Sequence, residues 1–334
     1  MSQYNMGFDP VNAGVIPWGA RSKEVYRMCM DILDATPVLS CSGPAFELPK
    51  WSVAWAGEAR VMMAEEFRRN GHFKNLQQLT GSCVGLGATG MAFWSSVTDA
   101  IWTGDPTRVL FPFFGYHYGL GRLESGIRGQ GEGSTGSGQA AALDKYGLLA
   151  WDHPNVPRPS LDTDTIKWTR NVELIWSDGN GPAQQLITEG SKNRFASITK
   201  CTSVEQAIDL MASRYWGTQA SDWGGIDGAG IVKGTGNSRI LTMPRRTVWN
   251  HQMAVLGYWF HPELDLQIAI GNQWGYLHGA DPDRVEDENS PPPAPPGIFW
   301  IDRASFEWML RSREVFFFAN MPNFEVRPGK YRMG

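Results

Sequence analysis

One thiol, Cys83, stands at the end of the stretch Gln77-Gln78-Leu79-Thr80-Gly81-Ser82-Cys83-Val84. The run after it, Val84 to Ile101, is long, apolar and rich in small residues, which predicts a buried helix starting at the thiol. A thiol in the first turn of a helix faces unpaired N–H groups and the positive end of the helix dipole, and both favour the thiolate. That is the chemistry of a nucleophile; a buried structural cysteine is the alternative. A nucleophilic cysteine needs a base to take its proton and a third group to orient that base. Of six histidines, His251 is set apart because it opens the run Gln-Met-Ala-Val-Leu-Gly-Tyr, a half-buried strand that would fix its ring. His72, His117, His153, His261 and His278 fall in turns, in loops or among aromatics, and read as structural or solvated. Downstream, Gly271-Asn272-Gln273-Trp274-Gly275 directly succeeds the apolar partner strand. The Asn272 amide oxygen accepts from one ring nitrogen and leaves the other for the thiol, with Trp274 shielding that bond from water.

Elements of both kinds must hold these residues together. Ser22 caps an expected helix to about Ala35, and a second runs from Trp55 to Asn70, where Gly71 stops it. These make residues 1–70 an N-terminal extension, ahead of one domain over 71–334 with a helical half (71–160) and a β-rich half (161–334). The cysteine helix should end near Gly104. The glycine-rich loop 126–138, whose backbone is open to close approach, leads into a helix over Gln139–Tyr146 that Gly147 closes. It lacks the flanking strand of a dinucleotide fingerprint, and the glycines at 224–236 lack the order of a phosphate loop. Ser203 and Gln206 form a capping box for another helix. Thr247–Phe260 and Leu264–Ile270 read as a hairpin, Gly297–Asp302 as a strand and Arg303–Arg311 as a helix. Residues 281–296, with Pro-Pro-Pro-Ala-Pro-Pro, read as an exposed insertion without regular structure.

Composition narrows the function classes. With 42% hydrophobic residues and 15 tryptophans among 334 residues, the chain buries a sizeable core. A net charge of −4 gives no general reason to bind nucleic acid. No apolar run is long enough for a membrane span, and no signal peptide is visible, so a cytoplasmic or virion-associated protein is expected. Cys29, Cys41, Cys83 and Cys201 are widely spaced without a C-x-x-C pair. No metal or other cofactor is expected, and the thiols should be reduced, with a Cys29–Cys41 bridge left open.

Taken together, these motifs resemble the papain family of cysteine peptidases, as a divergent bacterial or phage-type member. The resemblance rests on Gln77-x-x-x-Gly81-Ser82-Cys83, His251-x-x-Ala254-Val255-x-Gly257-Tyr258 and Asn272-x-Trp274-Gly275, in the family's order, and on Glu132-Gly133-Ser134 ahead of Ala140–Gly147. It covers roughly Leu76 to Leu310. It implies an α+β papain-like fold: a helical subdomain with the Cys at a helix N-terminus, packed across a cleft from a β-barrel-like antiparallel subdomain with His and Asn. It further implies Cys83 as nucleophile, His251 as base and then acid, Asn272 as orienter and Gln77 with the Cys83 N–H as oxyanion hole. Gly133 and Ser134 would bind an extended polypeptide substrate, with Trp274 covering the His–Asn contact. Val84 departs from the aromatic that usually succeeds the nucleophile, Thr80 stands where a disulfide cysteine is common, and Gln273 replaces the usual serine. Cys83 and His251 lie 168 positions apart (251 − 83), so insertions lie between them. The other readings are a papain-fold structural module binding an assembly partner, as in a phage virion, and a cell-wall amidase.

Overall fold

Cys83–Thr103 forms a helix of 21 residues (α1), ended by Gly104 in the left-handed conformation with φ 68°. Its apolar and small residues run all the way round, and the helix is accordingly buried on nearly every side. The computed structural model describes residues 48–57, 59, 78, 80–104, 109–128, 132–151, 153–156, 174–177, 181–226, 230–273 and 281–319. The expected Ser22–Ala35 helix, the Cys29–Cys41 pair, most of Trp55–Asn70, Gln77 and Trp274 lie outside them. Among the described residues no helix is long and apolar enough to cross a membrane.

Two further helices pack with α1. Phe114–Glu124 (α2) carries the aromatic stretch inward, and Gly136–Tyr146 (α3) begins with Thr135 accepting the Gly138 N–H. Phe113, Phe114, Tyr116, Trp151 and Leu86 form a core of their own on this side. Gln184–Gly190 (α4) comes next. Val204–Ala212 (α5) is capped as expected by Ser203, which accepts the Gln206 N–H; the Gln206 side chain reaches back to the Thr202 N–H instead of the cap's own.

The sheet is built from Trp51–Val53 (β1), Ser197–Lys200 (β2), Trp216–Gly224 (β3), Ile231–Lys233 (β4) and Ile240–Thr242 (β5). Thr247–His261 (β6), Asp265–Gly271 (β7), Ile298–Asp302 (β8) and Val315–Ala319 (β9) complete it. The order is β2-β9-β3-β6-β7-β8-β5-β4, and all pairs are antiparallel except β5 with β8. The expected hairpin is β6–β7, and Arg303–Leu310 (α6) comes after β8. The helical and β-rich parts thus pair as the α+β reading requires, but the sheet is open where a barrel-like closure was expected. The end strand β4 has only three residues, all exposed, and pairs with β5 alone among the described residues. Its apolar side chains, Ile231 and Val232, are 40% and 46% exposed instead of packed as they would be in a closed barrel.

The 15-residue strand β6 organises this half. Its first part pairs with β3; its last part pairs with β7 and also with β1, through Trp51↔Trp259 and Val53↔Gly257. The approach is close enough that a side chain at Gly257 would sit 2.6 Å from the Ser52 carbonyl oxygen. Trp51–Val53, expected in the extension, is therefore a strand of the sheet, and Val53 and Trp55 are fully buried. The Pro-rich stretch is also less exposed than expected. Prolines supply no N–H, so the carbonyls of this stretch need donors from elsewhere. Trp55 Nε1 donates to Pro292 O, Trp259 Nε1 to Asn289 O, and Arg284 to Pro291 O and Pro292 O. A buried Arg284–Asp281 ion pair at 2.9 Å anchors the stretch. Asp283, residues 285–289 and Pro296 face solvent, whereas Ser290, Pro291, Pro292 and Ala294 are buried.

Candidate active site

Cys83 is the first residue of α1, where a helix amide has no partner one turn back. Its Sγ accepts the main-chain N–H of Gln252 at 3.4 Å. The thiol therefore rests against β6 beside His251, with Val84 and Ala220 as its apolar neighbours. His251 pairs across the sheet with Ser221, at the point where β3 shifts register before Trp223. Such irregularities re-aim side chains near functional sites.

The imidazole is oriented from its far side. His251 Nε2 lies 2.8 Å from Asn272 Oδ1, and the same oxygen accepts the Gln273 N–H at 2.8 Å. The Gln273 main-chain N–H can only donate, which identifies the atom as the amide oxygen, so Nε2, facing an acceptor, carries the hydrogen. In the neutral ring Nδ1 then holds a lone pair, the form a general base requires. Asn272 is placed by β7, which ends one residue earlier, and by its N–H to Gly297 O at 2.8 Å.

Of the expected site residues, Cys83, His251 and Asn272 converge on one place. The oxyanion-hole glutamine, Gln77, is outside the described residues, but its neighbour Gln78 donates its N–H to Gln273 O at 2.9 Å. The segment before the nucleophile is thus joined to the residue after Asn272. The expected groove residues are also close, through links that sequence reasoning missed. Tyr118 donates to Gly81 O at 3.2 Å and accepts the Gly133 N–H at 3.1 Å. Burial pushes its phenol up to about 12, so it stays a donor. The Gly81 N–H donates to Glu132 Oε2 at 2.7 Å, and the fully buried Arg122 donates to Gly133 O at 2.6 Å. Both main-chain groups of Gly133 are thereby engaged within the protein, and Ser134 is buried with its hydroxyl 3.1 Å from that of Ser125. A substrate strand would have to compete for them.

Solvent access is restricted: Cys83 is 0%, His251 2% and Asn272 3% exposed. Beside the imidazole lies an apolar recess lined by Trp223, Ile226, Met243, Met253 and Phe299, with Trp223 and Phe299 stacked.

No family model matches the sequence, and no curated protein does. Solved structures do. Xylellain, a cysteine protease from Xylella fastidiosa, aligns with a TM-score of 0.51 at 14% identity, over 85% of this chain and 94% of its own. Procathepsin B S9 from Trypanosoma congolense aligns with a TM-score of 0.50 at 11% identity, over 86% and 84%. The chain has the papain-like fold.

Proposed function

On the premise of a papain-like fold with a thiol at the head of its long helix, we propose that this protein is a cysteine peptidase. The observation that supports this reading is the chain of contacts Asn272–His251 and Gln252–Cys83, which joins orienter, base and nucleophile through adjacent residues of β6. The Cys83 thiol proton passes to His251 Nδ1, and the sulfur attacks the peptide carbonyl carbon. The oxyanion so formed is held by the Cys83 N–H and the Gln77 side chain, donors typically worth about 3–4 kcal/mol of barrier. His251 then gives the proton to the leaving amine. A water deprotonated by His251 opens the thioester and returns the thiol. Asn272 holds the ring in the required tautomer throughout.

An epoxide-type thiol inhibitor with adduct mapping by mass spectrometry tests the proposal. Labelling at Cys83 that falls in His251→Ala is the expected result. No label on Cys83, or an unchanged rate in His251→Ala, would refute it.

The closure of the site favours a second reading, a papain-fold structural or interaction module. Under that reading Cys83→Ala leaves the biological role intact, whereas removal of the 281–296 stretch abolishes it.

A further inference from the structure

Glu314 immediately precedes β9 and is fully buried. Its Oε2 accepts the Ser137 N–H, in the first turn of α3, at 2.5 Å. Its other oxygen, Oε1, has no hydrogen-bond partner among the described residues, and neither has Oε1 of the equally buried Gln252. The two side chains border the same small space, the one a side chain at Gly136 would fill. A Cβ there would stand 2.5 Å from Glu314 Oε2 and 3.3 Å from Gln252 Oε1. An ionised carboxylate and an amide oxygen are both acceptors, and burying them together with no donor between them is strongly unfavourable. A proton on Glu314 removes the conflict. Burial pushes this carboxyl up to about 8, against the opposing pull of the Ser137 N–H and hydroxyl, the Gly136 N–H and the charge of Lys200 on β2.

Gln252 connects this pair to the candidate nucleophile. Its side-chain Nε2 donates to Val84 O at 3.1 Å, and its main-chain N–H is the group on Cys83 Sγ. We propose that Glu314 is a positioning residue of the site: as a carboxylic acid it donates from Oε1 to Oε1 of Gln252, and this bond holds the Gln252 N–H on the Cys83 sulfur. Ser137, Glu314, Gln252 and Cys83 then form one line from the start of α3 to the start of α1. The catalytic part of this inference rests on the peptidase reading; the Glu314–Gln252 bond does not.

The two parts separate experimentally. Selective 15N-glutamine labelling tracks the Gln252 main-chain amide, assigned by its loss in Gln252→Leu. In the wild-type protein this resonance should shift as pH rises through about 8, and in Glu314→Gln, where an amide N–H replaces the acid O–H, it should stay fixed. No shift in the wild type, or the same shift in Glu314→Gln, overturns the proposed bond. In a protein that cleaves peptide, Glu314→Leu should lower kcat about tenfold with KM within about twofold, since a hydrogen bond to a developing thiolate is the group lost. Glu314→Gln should restore kcat. An unchanged kcat in Glu314→Leu overturns the positioning role. Should Glu314→Leu fail to fold, the wild type must lose rate above pH 8 while Glu314→Gln keeps it; parallel profiles overturn the role equally. Wild-type protein without peptidase activity counts against the peptidase reading, and the amide titration still decides the bond.

Discussion

Two buried titratable groups pull the stability of this protein in opposite directions with pH, and replacing one exposes the other. Glu314 is held at about 8 against an ordinary 4.5. His117 is pushed down to about 4 from 6.5, chiefly by burial, although its Nε2 lies within hydrogen-bond distance of Gly85 O and Thr89 Oγ1. For Glu314 the unfolded chain ionises first, so its contribution is complete below pH 4.5 and is lost as pH rises to 8. For His117 the unfolded chain gains the proton first, so its contribution is complete above pH 6.5 and is lost as pH falls to 4. Each pKa unit is worth about 1.4 kcal/mol, so the full spans are about 5 kcal/mol for Glu314 and about 3 kcal/mol for His117. Between pH 4.5 and 6.5 the two slopes cancel. Urea unfolding at intervals from pH 4.5 to 8, with a constant m-value, should therefore give a near-plateau, tilted only by His261, whose pKa burial also lowers, and then a fall of about 2 kcal/mol above pH 6.5. In Glu314→Gln that fall should vanish, and the former plateau should tilt, with stability decreasing toward acid. The reasoning fails if the difference between wild type and Glu314→Gln is the same at every pH.

The geometry fixes three further outcomes. Asn272→Ala removes the acceptor on His251 Nε2, and labelling of Cys83 by a thiol-directed epoxide should slow by roughly 10- to 100-fold, the range for a hydrogen bond to a charged group. Arg284→Leu leaves Asp281 buried without its cation, and denaturant unfolding should show a loss of about 3–5 kcal/mol; retention of wild-type stability would mean that the four-way anchoring of the Pro-rich stretch is dispensable. Gly257→Ala drives a methyl into the β1 backbone, and the melting temperature should drop by an amount corresponding to about 1–3 kcal/mol, with faster hydrogen exchange at Val53 as the local sign of a detached β1.

Much of the candidate site was legible in the sequence because its parts sit at element boundaries that leave local marks. The thiol precedes a long apolar run, His251 falls on a strand in its hairpin, and Asn272 comes directly after that hairpin's second strand. The Ser203 cap and the Gly104 and Gly147 helix ends are local signals of the same kind. Elements whose stability comes from packing were harder. Helix α2 contains three glycines, which weaken helix propensity, yet a side chain at Gly119 would stand 2.4 Å from the Trp176 carbonyl. Strand β3 holds Thr218, Gln219 and Ser221 inside the protein, so its apolar pattern is broken, and β9 is a continuous apolar run with no alternation. Glu314 and Gln252 meet only because β9 inserts between β2 and β3, a matter of topology with no local trace. Gln252 alone left a hint: a polar residue at an inward register of β6, where an amide needs partners.

The register of β6 also has a consequence for biosynthesis. A ribosome adding roughly 5–20 residues per second makes the thiol roughly ten to thirty seconds before it makes His251. β1 waits longer still for its pairing segment, Gly257–Trp259, and Glu314 emerges after both. Throughout that interval Cys83 has neither its base nor the Gln252 amide. If the protein is a peptidase, the nascent chain is therefore inert by construction, and its neighbours on the ribosome are safe from it until the sheet is assembled.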